Sequence, residues 1–135
     1  MQSTIGPFNL ASTFLRLRNN VSIEPLPVDD TFWQKIMTGQ LGNFHNEYLV
    51  VMHAFDADWP MWEMHPNGDE VVFLLSGSLQ FILETAEGSK PFELNQSGSY
   101  VIVPKGAWHT AKTNCPCRML FITAGEGTQH RGAAE

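Results

Sequence analysis

Glu63-Met64-His65-Pro66-Asn67-Gly68-Asp69-Glu70 places two carboxylates and an imidazole in one short stretch. Carboxylate and imidazole are ligands for divalent first-row metals, and the same groups can carry protons in acid–base chemistry. For that they must converge, and the spacing says how. Strand side chains alternate between faces, so Glu63 and His65 point the same way. Pro66-Asn67-Gly68-Asp69 is a dense turn signal that bends the chain. Glu70 then opens the apolar run Val71-Val72-Phe73-Leu74-Leu75 and shares a face with Val72 and Leu74. The three groups are expected at the mouth of a fold.

A second stretch adds another imidazole. Gly98-Ser99-Tyr100-Val101-Ile102-Val103-Pro104-Lys105-Gly106-Ala107-Trp108-His109 reads as a turn, a strand, a Pro-Lys-Gly corner and a new strand carrying His109. Together the two stretches resemble the motifs of the cupins. The first cupin motif has an opening Gly, a His-x-His pair, a Glu and a closing Gly. His65, Glu70 and Gly77 fall on its second His, its Glu and its closing Gly. Gly98, Pro104, Gly106 and His109 match the second motif. Ala57 stands at the opening Gly, Glu63 at the first His and Thr113 at a closing Asn. The resemblance covers residues 57–113 and implies a small single-domain cupin: an all-β double-stranded β-helix, or jelly-roll barrel. It also implies a divalent transition metal (Fe, Mn, Ni or Zn) held by Glu63, His65, Glu70 and His109.

Glu63 is the informative departure. As a ligand, it joins Glu70 in neutralising a divalent cation, favouring harder ions and weakening the metal as a Lewis acid for bound water. Standing aside, it is a catalytic general base or orients a bound water. His65, Glu70 and His109 alone still make the two-histidine, one-carboxylate set suited to non-haem Fe(II) oxygen chemistry. A vestigial site without metal is the bland alternative.

Composition narrows the classes. Hydrophobic residues at 43% and charged residues at 16% fit one ordinary globular domain. A net charge of −6, with eight scattered Lys and Arg, excludes a nucleic-acid phosphate grip. No apolar run reaches bilayer length and Met1-Gln2-Ser3-Thr4 has no signal-peptide character, so the expectation is a cytoplasmic protein with no membrane partner. Cys115 and Cys117 flank Pro116; they lack zinc-knuckle spacing, and a bridge between them would be strained, so two free thiols are expected.

The chain is expected to divide into an N-terminal arm and short helix (1–45), a barrel (46–124) and a fraying polar tail (125–135). Pro25 and Pro27 suggest an extended arm, lying on its own barrel or pairing with a partner's sheet edge. Thr31 and Gln34 resemble a capping box opening a helix over 32–38, which turns Phe32, Trp33 and Ile36 to the barrel. From Tyr48, eight short strands separated by turn residues suggest an antiparallel sandwich or barrel. Trp59 is expected at the mouth, and an apolar-walled pocket with few polar groups suits a small organic ligand. His53 is expected to pack with a hydrogen bond; His45 and His130 have no motif behind them.

Three functions follow. The first is a metal-dependent enzyme, dioxygenase-like or a hydrolase or isomerase, acting on a small molecule. The second is a ligand-binding or sensing module without turnover. The third is a metal-free isomerase-like cupin using Glu63 and His109. A homodimer is expected from the long arm and the family's habit of pairing barrels.

Overall fold

Residues 5–132 are described by a computed structural model. In chain order the elements are β1 (Thr13–Leu17), β2 (Ile23–Pro27), α1 (Phe32–Met37), β3 (Tyr48–Phe55), β4 (Met61–Met64), β5 (Glu70–Ser76), β6 (Leu79–Thr85), β7 (Gly88–Leu94), β8 (Tyr100–Val103), β9 (His109–Lys112), β10 (Cys117–Thr123) and β11 (Gln129–Gly132). The strands form two antiparallel sheets, ordered β2-β1-β3-β10-β5-β8 and β11-β4-β9-β6-β7. This is the all-β double-sheet barrel with one short helix that the cupin resemblance implies. Among the described residues, no helix is long and apolar enough to cross a membrane.

Period-two patterning builds the core. In β5 the buried positions are Glu70, Val72 and Leu74, while Val71, Phe73 and Leu75 turn outward. In β6, Leu79, Phe81 and Leu83 face the first sheet, and Met119 and Phe121 of β10 in that sheet face back into the same core. Val72, Leu74, Phe81, Ala111 and Met119 have no accessible surface. Each of the larger four, Val72, Leu74, Phe81 and Met119, contributes about 1.5–3 kcal/mol relative to exposure.

Several expectations need correcting. Of the two placements open for the N-terminal arm, the described residues take the one on the chain's own barrel: β1 and β2 form a hairpin on the six-stranded sheet, β1 pairing with β3. Its strands were hidden in the sequence because Arg16 occupies an inward position of β1, breaking the apolar alternation. Arg16 is buried there because Glu47 accepts from its Nε at 2.7 Å and the Leu41 carbonyl accepts from Nη1. The segment 125–135 does not simply fray: Gln129–Gly132 pairs with β4 as β11, and residues 133–135 lie outside the described residues, as do Met1–Thr4. Polar side chains gave no strand signal there, since an edge strand needs only one covered face. Thr31 does not cap α1; its hydroxyl donates to Asp29 Oδ1 at 2.7 Å instead. Phe32 is buried and Ile36 packs on the core, but Trp33 is 53% exposed. His53 is exposed and stacks on Phe55 rather than packing inside. Cys115 and Cys117 are free thiols.

Gly77 joins β5 to β6 at φ +82, and a Cβ there would sit 2.3 Å from the Pro116 carbonyl and 2.8 Å from Cys117 Cα. Both obstacles are backbone, so neither can swing away. Gly77→Ala should cost about 1–3 kcal/mol from the conformation alone, and more from the clash. An unchanged chemical-denaturation midpoint would refute this.

Candidate metal centre

Glu63 in β4 lies opposite His109 in β9. Opposed residues of an antiparallel ladder project to the same face, here the barrel interior. Glu70, first residue of β5, faces them from the other sheet. His65 follows β4, and its carbonyl accepts the Gly106 amide at 2.9 Å, tying the two motif corners together. Asp69 Oδ1 accepts the Lys105 amide at 2.8 Å and closes the same corner.

The four side chains converge. His65 Nε2 is 3.3 Å from Glu63 Oε1 and 3.3 Å from Glu70 Oε2, and His109 Nε2 is 3.1 Å from Glu70 Oε1. One ligand atom each from Glu63, His65 and His109 lies within 4.8 Å of the other two. Burial is almost complete on three of them: 3% exposure for His65, 3% for Glu70 and 1% for His109. The Glu63 side chain is 24% exposed, the most accessible of the four.

Hydrogen bonds behind the cluster fix which atoms face it. The His109 Nδ1–H donates to the Ala107 carbonyl at 3.1 Å, which leaves Nε2 for the interior. The Thr128 hydroxyl donates to the Gly125 carbonyl at 2.9 Å, so its oxygen accepts from His65 Nδ1–H at 2.8 Å. His65 Nε2 likewise turns inward. Thr123 Oγ1 donates to Glu70 Oε2 at 2.6 Å and holds that carboxylate. These supports are the kind that orient metal-binding imidazoles and carboxylates. Thr128 and Thr123 escaped the sequence reading: Thr128 sits in the segment taken for a tail, and Thr123 was legible only as one more strand residue.

The donor set fits a cation. With both imidazoles protonated on Nδ1, His65 Nε2 and Glu70 Oε1 are buried acceptors that no donor reaches, an arrangement that costs free energy unless something positive satisfies both. Ligands about 2.0–2.3 Å from a common metal stand roughly 3.0–3.5 Å from one another; the three His–Glu separations of 3.1–3.3 Å fall in that span, while Glu63, His65 and His109 are grouped within 4.8 Å. Without a cation, a proton does part of that work. Burial raises the Glu70 pKa, but the hydrogen bonds and charges of His109 and His65 outweigh it and bring it down to about 2. Burial likewise lowers the His109 pKa, and Glu70 reverses this, holding it above the ordinary histidine value.

Trp59 is not a rim residue. It packs on Phe55, Phe81 and Phe121, and its ring lies 6.5 Å from that of His109. Its buried indole N–H has no hydrogen-bond partner. Trp62 and Trp108 lie on the other side of β4 and β9, where the Arg131 guanidinium covers both rings and pairs with Glu84. His45 is not among the clustered groups and pairs with Glu126 at 3.0 Å. His130 is exposed on β11, opposite Glu63 in register.

No family model matches the chain, and no curated protein matches it. Solved structures do. A cupin-2 domain containing protein from Shewanella frigidimarina is 22% identical over 56% of this chain and 69% of that one, at a TM-score of 0.48. Hydroquinone 1,2-dioxygenase from a Sphingomonas species, with 4-hydroxybenzoate bound, is 17% identical over 64% of this chain and 60% of its own, at 0.49. A mutant Bacillus subtilis oxalate decarboxylase is 19% identical over 64% of this chain and 23% of its own, also at 0.49.

Proposed function

We propose that this chain binds one divalent transition metal through Glu63, His65, Glu70 and His109 and acts on a small organic molecule that approaches past Glu63. The observation carrying this reading is the pair of buried, unpartnered atoms, His65 Nε2 and Glu70 Oε1, facing one point beside His109 Nε2 and Glu63. Two carboxylates offset the charge of a divalent ion, which suits iron or manganese better than a purely imidazole set would. Such an ion, when bound, supplies an open position for oxygen-dependent or Lewis-acid chemistry. The chain's own residues do the rest. Ala107 and Thr128 hold the imidazoles in one tautomer, and Trp59, Phe81 and Phe121 exclude water from the inner wall. Glu63, the most exposed of the four, is the group placed to take a proton from an arriving substrate.

A metal-free acid–base site is the second reading, favoured by the low Glu70 pKa, which reports an ion pair already made with the histidines. Elemental analysis of protein purified without chelator separates the two. One metal ion per chain is expected; no binding of Mn, Fe, Ni or Zn on titration would leave only the second reading. Glu63→His should retain the metal, since imidazole is itself a ligand, and raise the site's net charge by one. A variant that binds no metal would show that the Glu63 carboxylate is required rather than merely sufficient.

A further inference from the structure

We infer that His130 and Glu63 form an outer metal-binding pair, where a divalent ion is captured from solvent before it settles on the buried donors, a role that rests on the metal centre proposed above. Glu63 of β4 has two ladder partners, His109 of β9 on one side and His130 of β11 on the other. Opposed residues of an antiparallel pair project to the same face, so His130, Glu63 and His109 make one row across three strands. Neighbouring contacts fix that face twice over. The hydroxyl of Thr128, two residues before His130, meets His65 Nδ1 on the side of the centre. Arg131, the next residue along, turns the other way and covers Trp62 and Trp108. His130, which as a sequence belongs only to a polar tail, is thus set by β11 beside a donor of the centre.

The row is graded in exposure. His130 is exposed, the Glu63 side chain is 24% exposed and His109 is 1% exposed. Taking an ion out of water is costly unless new ligands replace its waters as they leave. An imidazole and a carboxylate one ladder step apart can begin that exchange, since both are ligands for Mn, Fe, Ni and Zn. Opposed residues of such a ladder have Cβ atoms about 4.5–5.5 Å apart, a spacing at which both side chains can reach one ion. Glu63 turns Oε1 to His65 Nε2 at 3.3 Å, and its carboxylate has a second oxygen to offer. Glu63 can therefore hand the ion inward while keeping hold of it. His130 stays behind, outside the group of Glu63, His65 and His109 whose ligand atoms lie within 4.8 Å of one another. It sets how fast the centre fills and empties, and leaves the final affinity alone.

Co(II), which takes imidazole and carboxylate ligands, serves as the probe. Stopped-flow absorption follows its uptake by the metal-free full chain, and excess chelator then reports its release. His130→Ala should slow uptake and release by the same factor, about tenfold, the lower end of what a metal site loses with one supporting group. Its equilibrium dissociation constant should match that of the wild-type chain. His130→Gln should behave as His130→Ala does, and His130→Glu, which restores a ligand, should fill at nearly the wild-type rate. Gln129→Ala, exposed on the same strand but facing the other way, should change neither rate. Unchanged rates in His130→Ala, with Co(II) still bound, overturn the proposal and leave the buried centre standing. Equal slowing in Gln129→Ala also overturns it, because the effect would then belong to the strand and not to the imidazole. So does weaker affinity with faster release, which would make His130 a ligand of the settled ion. A wild-type chain that binds no Co(II) removes the buried centre and the outer pair together.

Discussion

His109→Ala should bind Mn, Fe, Ni or Zn more weakly than the wild-type chain by roughly two orders of magnitude or more. Losing a group that merely orients a metal ligand costs about 10–100-fold, and His109 is a donor itself, one of only two imidazoles in the cluster. The substitution also removes the group facing Glu70 Oε1 at 3.1 Å, leaving a buried carboxylate with less positive charge about it. Because His109 is 1% exposed and stacks on Phe81 at 5.5 Å, the variant also opens a cavity, so stability must be followed beside affinity. His109→Gln fills more of that space and serves as the control. Isothermal titration on both variants decides: a dissociation constant within threefold of wild type in each would remove His109 from the centre.

The second large effect lies far from that centre. Glu47→Ala should destabilise the chain by about 3–5 kcal/mol, because it strips a buried cation of its partner. Arg16 and Glu47 have side chains only 8% and 3% exposed and meet at 2.6–2.7 Å. Arg18 Nε reaches the second carboxylate oxygen at 2.9 Å, and the Asn19 amide also donates to it. Against a typical total of about 5–15 kcal/mol, the loss brings the chain near its unfolding threshold at ordinary temperature. Burial pushes the Glu47 pKa up, but the Arg16 hydrogen bond, the Asn19 amide and both arginine charges outweigh it and hold the pKa below 4.5. A depressed folded pKa contributes stability that is present above the unfolded value and is lost as pH falls through the folded value. The penalty of Glu47→Gln should therefore be large at pH 7 and shrink in acid below pH 4.5. A penalty independent of pH would show that packing, not charge, makes the contribution. Arg16→Met/Glu47→Leu should recover much of the lost stability, as apolar replacements of whole buried pairs often do.

The sequence was most legible where an apolar run is bounded by turn residues. Glu70–Ser76 and Tyr100–Val103 are such runs, buried at alternate positions, and Pro104-Lys105-Gly106 marks its corner without ambiguity. For that reason the juxtaposition of Glu63, His65, Glu70 and His109 could be anticipated from spacing and family resemblance together. It failed where burial depends on a partner distant in sequence. Arg16 looks like a surface residue until Glu47, thirty-one positions on, covers it. β2 carries two prolines, which argue against a strand everywhere except at an edge. Thr128 has no local pattern at all; only the fold carries its hydroxyl to His65.

That last contact has a kinetic consequence. β11 is a four-residue edge strand whose sheet contacts are with β4, and Thr128, just before it, grips a buried imidazole. Short edge elements of this kind open first in native-state fluctuations, at a small fraction of the global unfolding free energy. Each opening of β11 releases His65 as well. If a cation holds Nε2 of that ring, the opening must work against the metal–ligand bond, so the ion acts as a latch on a strand that contributes none of its ligands. Hydrogen exchange at the amides of Gln129–Gly132 should then slow on metal addition by a larger factor than exchange in the central strands β5 and β10. Equal slowing everywhere would mean that the metal stabilises the barrel only as a whole, and that the latch does not exist.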